Sequence, residues 1–404
     1  MELLSLGLIL ISGFLAGLLF EKIKLPKIIG MIIIGILIGP SFLNVVDDAI
    51  LNISAMLRQI ALVIILTRSG LSLNLASFKE VGRPAILLSF VPATFEIIGV
   101  LLLAPPLLGI SVIEALLLGS VLAAVSPAIV VPRMIKIKKE EYGENKKIAE
   151  LILAGSSVDD IYVIILFYAF LGLAQGTNTS AISFLQIPLS IILGIALGII
   201  IGFIITSIYK KFKMATIVKI LILLSTSFLL LGIESLLKEY VAFSALLAII
   251  TIGMIILFKN KEEAKAIEKG YHKLWYVFEI LLFVLVGISV DFNYAISAGL
   301  MPLVVLFSAM LFRIVGVYVS LLFTKLNGKE KLFVILSYLP KATVQASIGG
   351  IALSVGLEVG PLVLTMAVLS ILITAPLGAI LIDNTYKKLL TKHAEITLDV
   401  QNKV

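Results

Sequence analysis

Cysteine is absent and histidine occurs twice, as His272 and His393. Such a chain cannot build a disulfide framework, a thiolate metal site or a cysteine nucleophile, and a histidine-rich metal centre is excluded too. Charge is also scarce: 14 % of the 404 residues are Asp, Glu, Lys or Arg, against about 25 % in soluble domains. What is present instead is hydrocarbon, with 60 % of residues apolar or aromatic and a mean hydropathy of +1.17. The net charge of +7 would suit a nucleic-acid partner in a soluble protein. In a membrane chain the placement of Lys and Arg matters more than their sum, and no nucleic acid is expected.

Apolar runs bounded by charges, proline or polar clusters fall at about 2–20, 28–44, 55–73, 84–104, 112–134, 147–174, 183–208, 217–236, 241–258, 273–289, 300–324, 331–354 and 360–384, thirteen in all. Residues 1–20 lack the basic opening of a signal peptide and read as a retained first span. The connections alternate in charge: 21–27, 68–83, 133–147, 210–219, 259–273, 325–331 and the tail after 386 hold 28 Lys or Arg, whereas the opposite set holds one, Lys238. The positive-inside rule then expects an external N-terminus and a cytoplasmic C-terminus. The high Ile, Lys and Asn content resembles that of AT-rich prokaryotes, so the expected location is the plasma membrane, multi-pass, with the lipid bilayer as partner. The short connections leave no soluble regulatory domain in the chain.

Three basic residues fall outside these connections. Arg58 opens its run and can snorkel outward. Arg313 and Lys341 lie about ten or more residues from either end of theirs. Glu96, Asp159 and Asp160 are similarly deep. A charge at the bilayer centre costs at least ~2.5–3.5 kcal/mol on insertion scales, so these five groups need partners or a wet cavity and are the candidate functional residues.

Two runs are interrupted from within. The fifth carries Ser126, Pro127 and Pro132; the twelfth carries Pro340 and Lys341, followed by Thr343, Gln345, Gly349 and Gly350. An interior proline frees a carbonyl, which lipid tolerates only where it faces protein or a water-filled cavity. The two runs enter from opposite sides, and breaks at matching places of two halves point to an inverted-repeat transporter with its site at the midplane. The expected fold is an all-α polytopic membrane protein of about 13 transmembrane helices, two inverted six-helix repeats with crossing broken helices. The same offset sets Glu96 opposite Arg313 as an expected ion pair.

Asp159 and Asp160, in AGSSVDDIYV, lie ~18 Å into their run, about twelve residues beyond Lys147. Neighbours on a helix point ~100° apart, so one carboxylate can face a cavity while the other turns to a partner helix. With hydroxyls such as those of Ser126, Ser156, Ser157 and Thr343 and with freed carbonyls, these acids make a hard oxygen site suited to Na+ or Li+. The same carboxylate can hold a proton instead. If the site crosses the barrier only when neutralised, one locus performs both legs of an exchange. The expected cargo is Na+ or Li+ and H+, with no cofactor.

Each residue also has a plainer reading. The Asp pair would be a salt-bridged packing element, and Arg313 a structural partner of Glu96 or Asp159. Lys341, beside Pro340, would neutralise half-helix carbonyls at a break set by Pro127 and Pro340. The hydroxyls would bond their own helix backbone. The glycine series Gly13/Gly17 and Gly194/Gly198/Gly202 read as close helix packing.

VLAAVSPAIVVPRM at 121–134, AGSSVDD at 154–160, FVLVGISVDF at 283–292 and LPKATVQASIGG at 339–350 together resemble the NHA-type sodium/proton antiporters of the second cation/proton antiporter superfamily. The resemblance runs in order along nearly the whole chain. It implies the sodium/proton antiporter fold, with dimerisation-domain helices 1–3 (residues 1–83) and 8–10 (217–299), core helices 4–6 (84–174) and 11–13 (300–386), a linker helix 7 (175–216) and a cytoplasmic tail (387–404). The core moves like an elevator in a homodimer. By the same resemblance Asp160 is the chief cation and proton site, Asp159 assists, and Glu96 pairs with Arg313. Many bacterial relatives have Lys where Arg313 stands; a guanidinium does not readily release a proton, so two protons per sodium are not implied.

Other classes make different demands. K+/H+ exchange would need the same acids in a different cavity. An organic-anion symporter on this architecture would move solute with sodium and no proton counterflow. An intramembrane aspartyl protease needs its two acids on facing helices, and here they are neighbours on one helix with no Gly-x-Gly-Asp segment.

Overall fold

The computed structural model describes residues 2–73, 80–176, 181–237 and 243–392, with only the backbone described at 181–188 and at Ala295. Lys238, His393 and part of the 68–83 connection lie outside the described residues.

Among the described residues the chain is helical, with one isolated β-bridge between Tyr142 and Lys392. The helices are α1 (Glu2–Lys22), α2 (Lys27–Ile38), α3 (Asp48–Ser72), α4 (Arg83–Leu88), α5 (Val91–Leu108), α6 (Val112–Leu122), α7 (Pro127–Lys139), α8 (Ile148–Gln175), α9 (Ala181–Lys211), α10 (Thr216–Leu237), α11 (Ala245–Lys259), α12 (Lys261–Ile288), α13 (Phe292–Ser297), α14 (Met301–Ser320), α15 (Gly328–Ser337), α16 (Thr343–Ile348), α17 (Ile351–Ser354) and α18 (Gly360–Leu389). Among the described residues ten stretches are long and apolar enough to cross a membrane, and α2 and α11 are shorter apolar helices.

Two helices begin earlier than hydropathy alone suggests. Asp47 Oδ1 accepts the Ala49 amide at 3.0 Å, which starts α3 in the polar stretch before its apolar run. Arg58 therefore lies well inside α3 and is buried, at 7 % exposure, instead of opening the span. In the same way Asn260 Oδ1 accepts the Glu263 amide at 3.2 Å, and acids in the first turn suit a helix N-terminus. The basic stretch after 259 is thus helical, and His272 sits on α12.

The chain divides into two compact units, one of 1–51, 74–170 and 283–404, the other of 52–73 and 171–282. In the second unit, Gly194, Gly198 and Gly202 of α9 lie against α11: a methyl on Gly198 would meet the Ala248 carbonyl at 2.6 Å and Thr251 Cβ at 2.7 Å. In the first unit, methyls on Gly35 and Gly287 would overlap the carbonyls of Val284 and Ile32, so α2 and the end of α12 touch backbone to backbone.

The first unit also gathers the helix ends that carry basic residues. Arg133 of α7 grips Asp383 of α18 through Nε at 3.1 Å and Nη2 at 3.0 Å. Tyr386 Oη donates to Glu140 at 2.7 Å, and the Gly143 amide donates to the Thr391 carbonyl at 2.9 Å. Lys146 reaches the buried Glu330 at 2.7 Å, and Glu330 with Asn327 closes a capping box on α15. Between these ends and the helix breaks lies an apolar cluster including Leu88, Val125, Ile152, Phe333, Val334 and Tyr338.

Candidate functional site

Pro127 has no amide proton and holds Ser126 in an extended conformation, at φ −88° and ψ 111°, so α6 stops at Leu122 and α7 starts afresh at Pro127. Pro340 lies in the break between α15, which ends at Ser337, and α16, which starts at Thr343. The two breaks meet: the Ser126 amide donates to the Pro340 carbonyl at 2.8 Å.

Four carbonyls freed near the crossing, those of Leu122, Ala123, Ala124 and Tyr338, take side-chain donors, as a buried backbone favours. Arg313 Nε donates to the Tyr338 carbonyl at 2.6 Å, and its Nη1 donates to the Ala123 carbonyl. Lys341 Nζ donates to the Leu122 carbonyl, and Gln345 Nε2 to that of Ala124 at 2.9 Å. The Lys341 amide is taken up by Thr374 Oγ1 at 2.9 Å.

The same two cations hold acids. Arg313 Nη1 lies 3.0 Å from Glu96 Oε2 and its Nη2 3.3 Å from Asp159 Oδ2. Lys341 Nζ sits astride the Glu96 carboxylate, 2.7 Å from Oε1 and 2.8 Å from Oε2. The Val125 amide in the first break also donates to Asp159 Oδ2, at 2.8 Å. Glu96, Asp159, Arg313 and Lys341 are all fully buried, while Asp160 retains 8 % exposure and touches none of these donors. One acid of the pair is therefore spoken for and the other is not.

The hydroxyls separate cleanly. Ser156 and Ser157 both donate to the Leu153 carbonyl of their own helix, at 3.3 and 2.7 Å. Ser126 stands at the N-cap of α7 without capping it, and its Oγ, like Thr343 Oγ1, Asp159 Oδ1 and Asp160 Oδ1, is buried with no protein partner. Hard oxygen atoms of this kind, left without a protein partner, are the atom type a monovalent cation takes as ligands. Gln345, from the interrupted twelfth run, completes the frame with Thr374 and Tyr338, and the last two carry no charge or break signal in the sequence that would single them out.

Helices of spanning length around paired buried charges define a multi-pass membrane transporter. Residues 8–387 match the family model described as "Sodium/hydrogen exchanger, transmembrane". Human sodium/hydrogen exchanger 9B2 is 34 % identical over 407 residues, covering 95 % of this chain and 73 % of the relative. Mouse sodium/hydrogen exchanger 9B1 is also 34 % identical, over 416 residues, covering 99 % of this chain and 73 % of the relative. The sodium proton antiporter MjNhaP1 from Methanocaldococcus jannaschii shares the fold, with a TM-score of 0.83 at 23 % identity over 96 % of this chain and 99 % of the other. The chain belongs to the transmembrane sodium/hydrogen exchanger family, as an NHA-type member; it is a cation/proton antiporter and not an enzyme.

Proposed function

We propose that this chain exchanges Na+, or Li+, for H+ by letting ion and proton compete for the Asp159–Asp160 pair. The observation that carries the reading is the inequality within the pair. Asp159 Oδ2 is bound by Arg313 and Val125, whereas Asp160 makes no ion pair and its buried Oδ1 has no partner in the protein. Asp160 is the exchangeable group in this reading and Asp159 the anchored assistant. Glu96 with Arg313, and Lys341 with the freed carbonyls, keep the crossing neutral around it.

The finer architecture belongs to the same proposal. The ten long spans, the two shorter apolar helices and the interrupted segment 328–354 make thirteen crossings in two inverted repeats. All the site contacts fall within 84–174 and 300–386, which suits an elevator in which those segments move as one block past 1–83 and 217–299. The basic connections put the N-terminus outside and the C-terminus in the cytoplasm of a plasma membrane. The homodimer is carried over from the family.

Asp160→Asn tests the site. In proteoliposomes the parent chain should acidify or alkalinise the lumen on a sodium pulse, and Asp160→Asn should not. Retention of full sodium-dependent proton flux by the variant would refute the assignment. A cation panel with matched gradients separates Na+ or Li+ from K+.

A further inference from the structure

Tyr338 ends α15, and its ring is fully buried in the apolar cluster between the Asp pair and the basic helix ends. Its carbonyl holds Arg313 Nε, and the Arg313 guanidinium carbon lies 5.8 Å from the centre of its ring. At the other end of the ring, the hydroxyl packs on Gly155 so tightly that a methyl there would overlap it. Gly155 is one turn before Asp159 on α8, about 6 Å along the axis toward the loop end. The phenol thus spans from Arg313 to the face of α8 that leads to Asp159.

Tyr338 Oη has no hydrogen-bond partner in the protein. A buried hydroxyl left unpaired is costly, and phenylalanine would fill the same apolar space without that cost. Ser126 Oγ, Asp159 Oδ1, Asp160 Oδ1 and Thr343 Oγ1 are buried and unpaired in the same way, and Asp159 lies one turn beyond the glycine that the hydroxyl touches.

We infer that Tyr338 is a positioning residue on the proton route. Its ring closes the passage between the Asp pair and the basic helix ends, and its hydroxyl hydrogen-bonds the water that enters when that passage opens. The inference rests on the exchange reading above. The phenol keeps its proton; it orders the water through which Asp159 and Asp160 gain or lose theirs.

The experiment has two arms. Tyr338→Phe in proteoliposomes should keep its melting temperature and its sodium KM within twofold of the parent. Its maximal sodium-driven proton flux should fall about tenfold, most steeply at the pH extreme where protons are scarcest. Rate and pH profile within twofold of the parent, or a change confined to KM, would overturn the inference. The second arm needs no substitution: hydroxyl-radical footprinting of the parent during turnover should label Tyr338 above Phe333, another fully buried ring of the same helix. Equal protection of the two rings would overturn it as well. A parent chain that shows no cation-driven proton flux at all refutes the exchange reading instead, and the footprint then decides Tyr338 by itself.

Discussion

Ser126 and Pro340 are joined backbone to backbone at 2.8 Å, amide to carbonyl, where the two interrupted helices cross. The bond links the segment that bears the unpaired Ser126 hydroxyl to the one that bears Lys341 and Thr343. Neither break can shift alone without losing it.

Charge counting at the crossing gives an expectation for the balance of the exchange. With all five side chains ionised, Glu96, Asp159 and Asp160 would carry three negative charges against two positive ones on Arg313 and Lys341, and one monovalent ion or one proton would neutralise the remainder. Transport should therefore be one-for-one and electroneutral. Sodium-driven proton flux in liposomes with matched K+ should change less than twofold on adding a potassium ionophore; acceleration of several-fold would mean that net charge moves.

Glu96 serves two cations at once, so removing its charge should hurt folding more than removing that of Asp160. Breaking a buried pair by deleting one partner costs about 3–5 kcal/mol, because the remaining charges stay buried. Glu96→Gln should lower the melting temperature of the detergent-solubilised protein by many degrees. Asp160→Asn, which deletes an unpaired buried charge, should leave it unchanged or raise it.

Among the hydroxyls the expected effects diverge. Ser126→Ala removes an oxygen that no protein donor or acceptor uses, and loss of one ligand is worth about 1 kcal/mol. Its sodium KM should rise roughly three- to tenfold. Ser157→Ala removes a hydroxyl that donates to Leu153 of its own helix and, in the reading that takes Ser126 as the ligand, should leave the sodium KM unchanged. Initial-rate measurements over a sodium series distinguish the two.

Much of this arrangement was legible in the residues. Pro127 and Pro340 announce the breaks because proline cannot complete a helical ladder, and Asp159, Asp160, Glu96, Arg313 and Lys341 stand out because charge is expensive in lipid. Helix starts were less legible: Asp47 and Asn260 extend α3 and α12 into polar sequence by capping, which a hydropathy reading treats as loop. Thr374 and Tyr338 gave no signal. A neutral side chain in an apolar run looks like packing until the carbonyls it must serve are placed beside it. Glu330 was hidden for a related reason, since its burial comes from capping α15 and meeting Lys146 across the chain.

The central claim is that a metal ion and a proton occupy the Asp pair in turn and never together. Calorimetric titration of the purified protein with sodium, repeated in buffers of differing ionisation enthalpy near the pH of half-maximal exchange, counts the protons expelled as the ion binds. The account predicts a release approaching one proton per sodium as the pH is lowered, abolished along with sodium binding in Asp160→Asn. Sodium binding that releases no protons at any pH would contradict it.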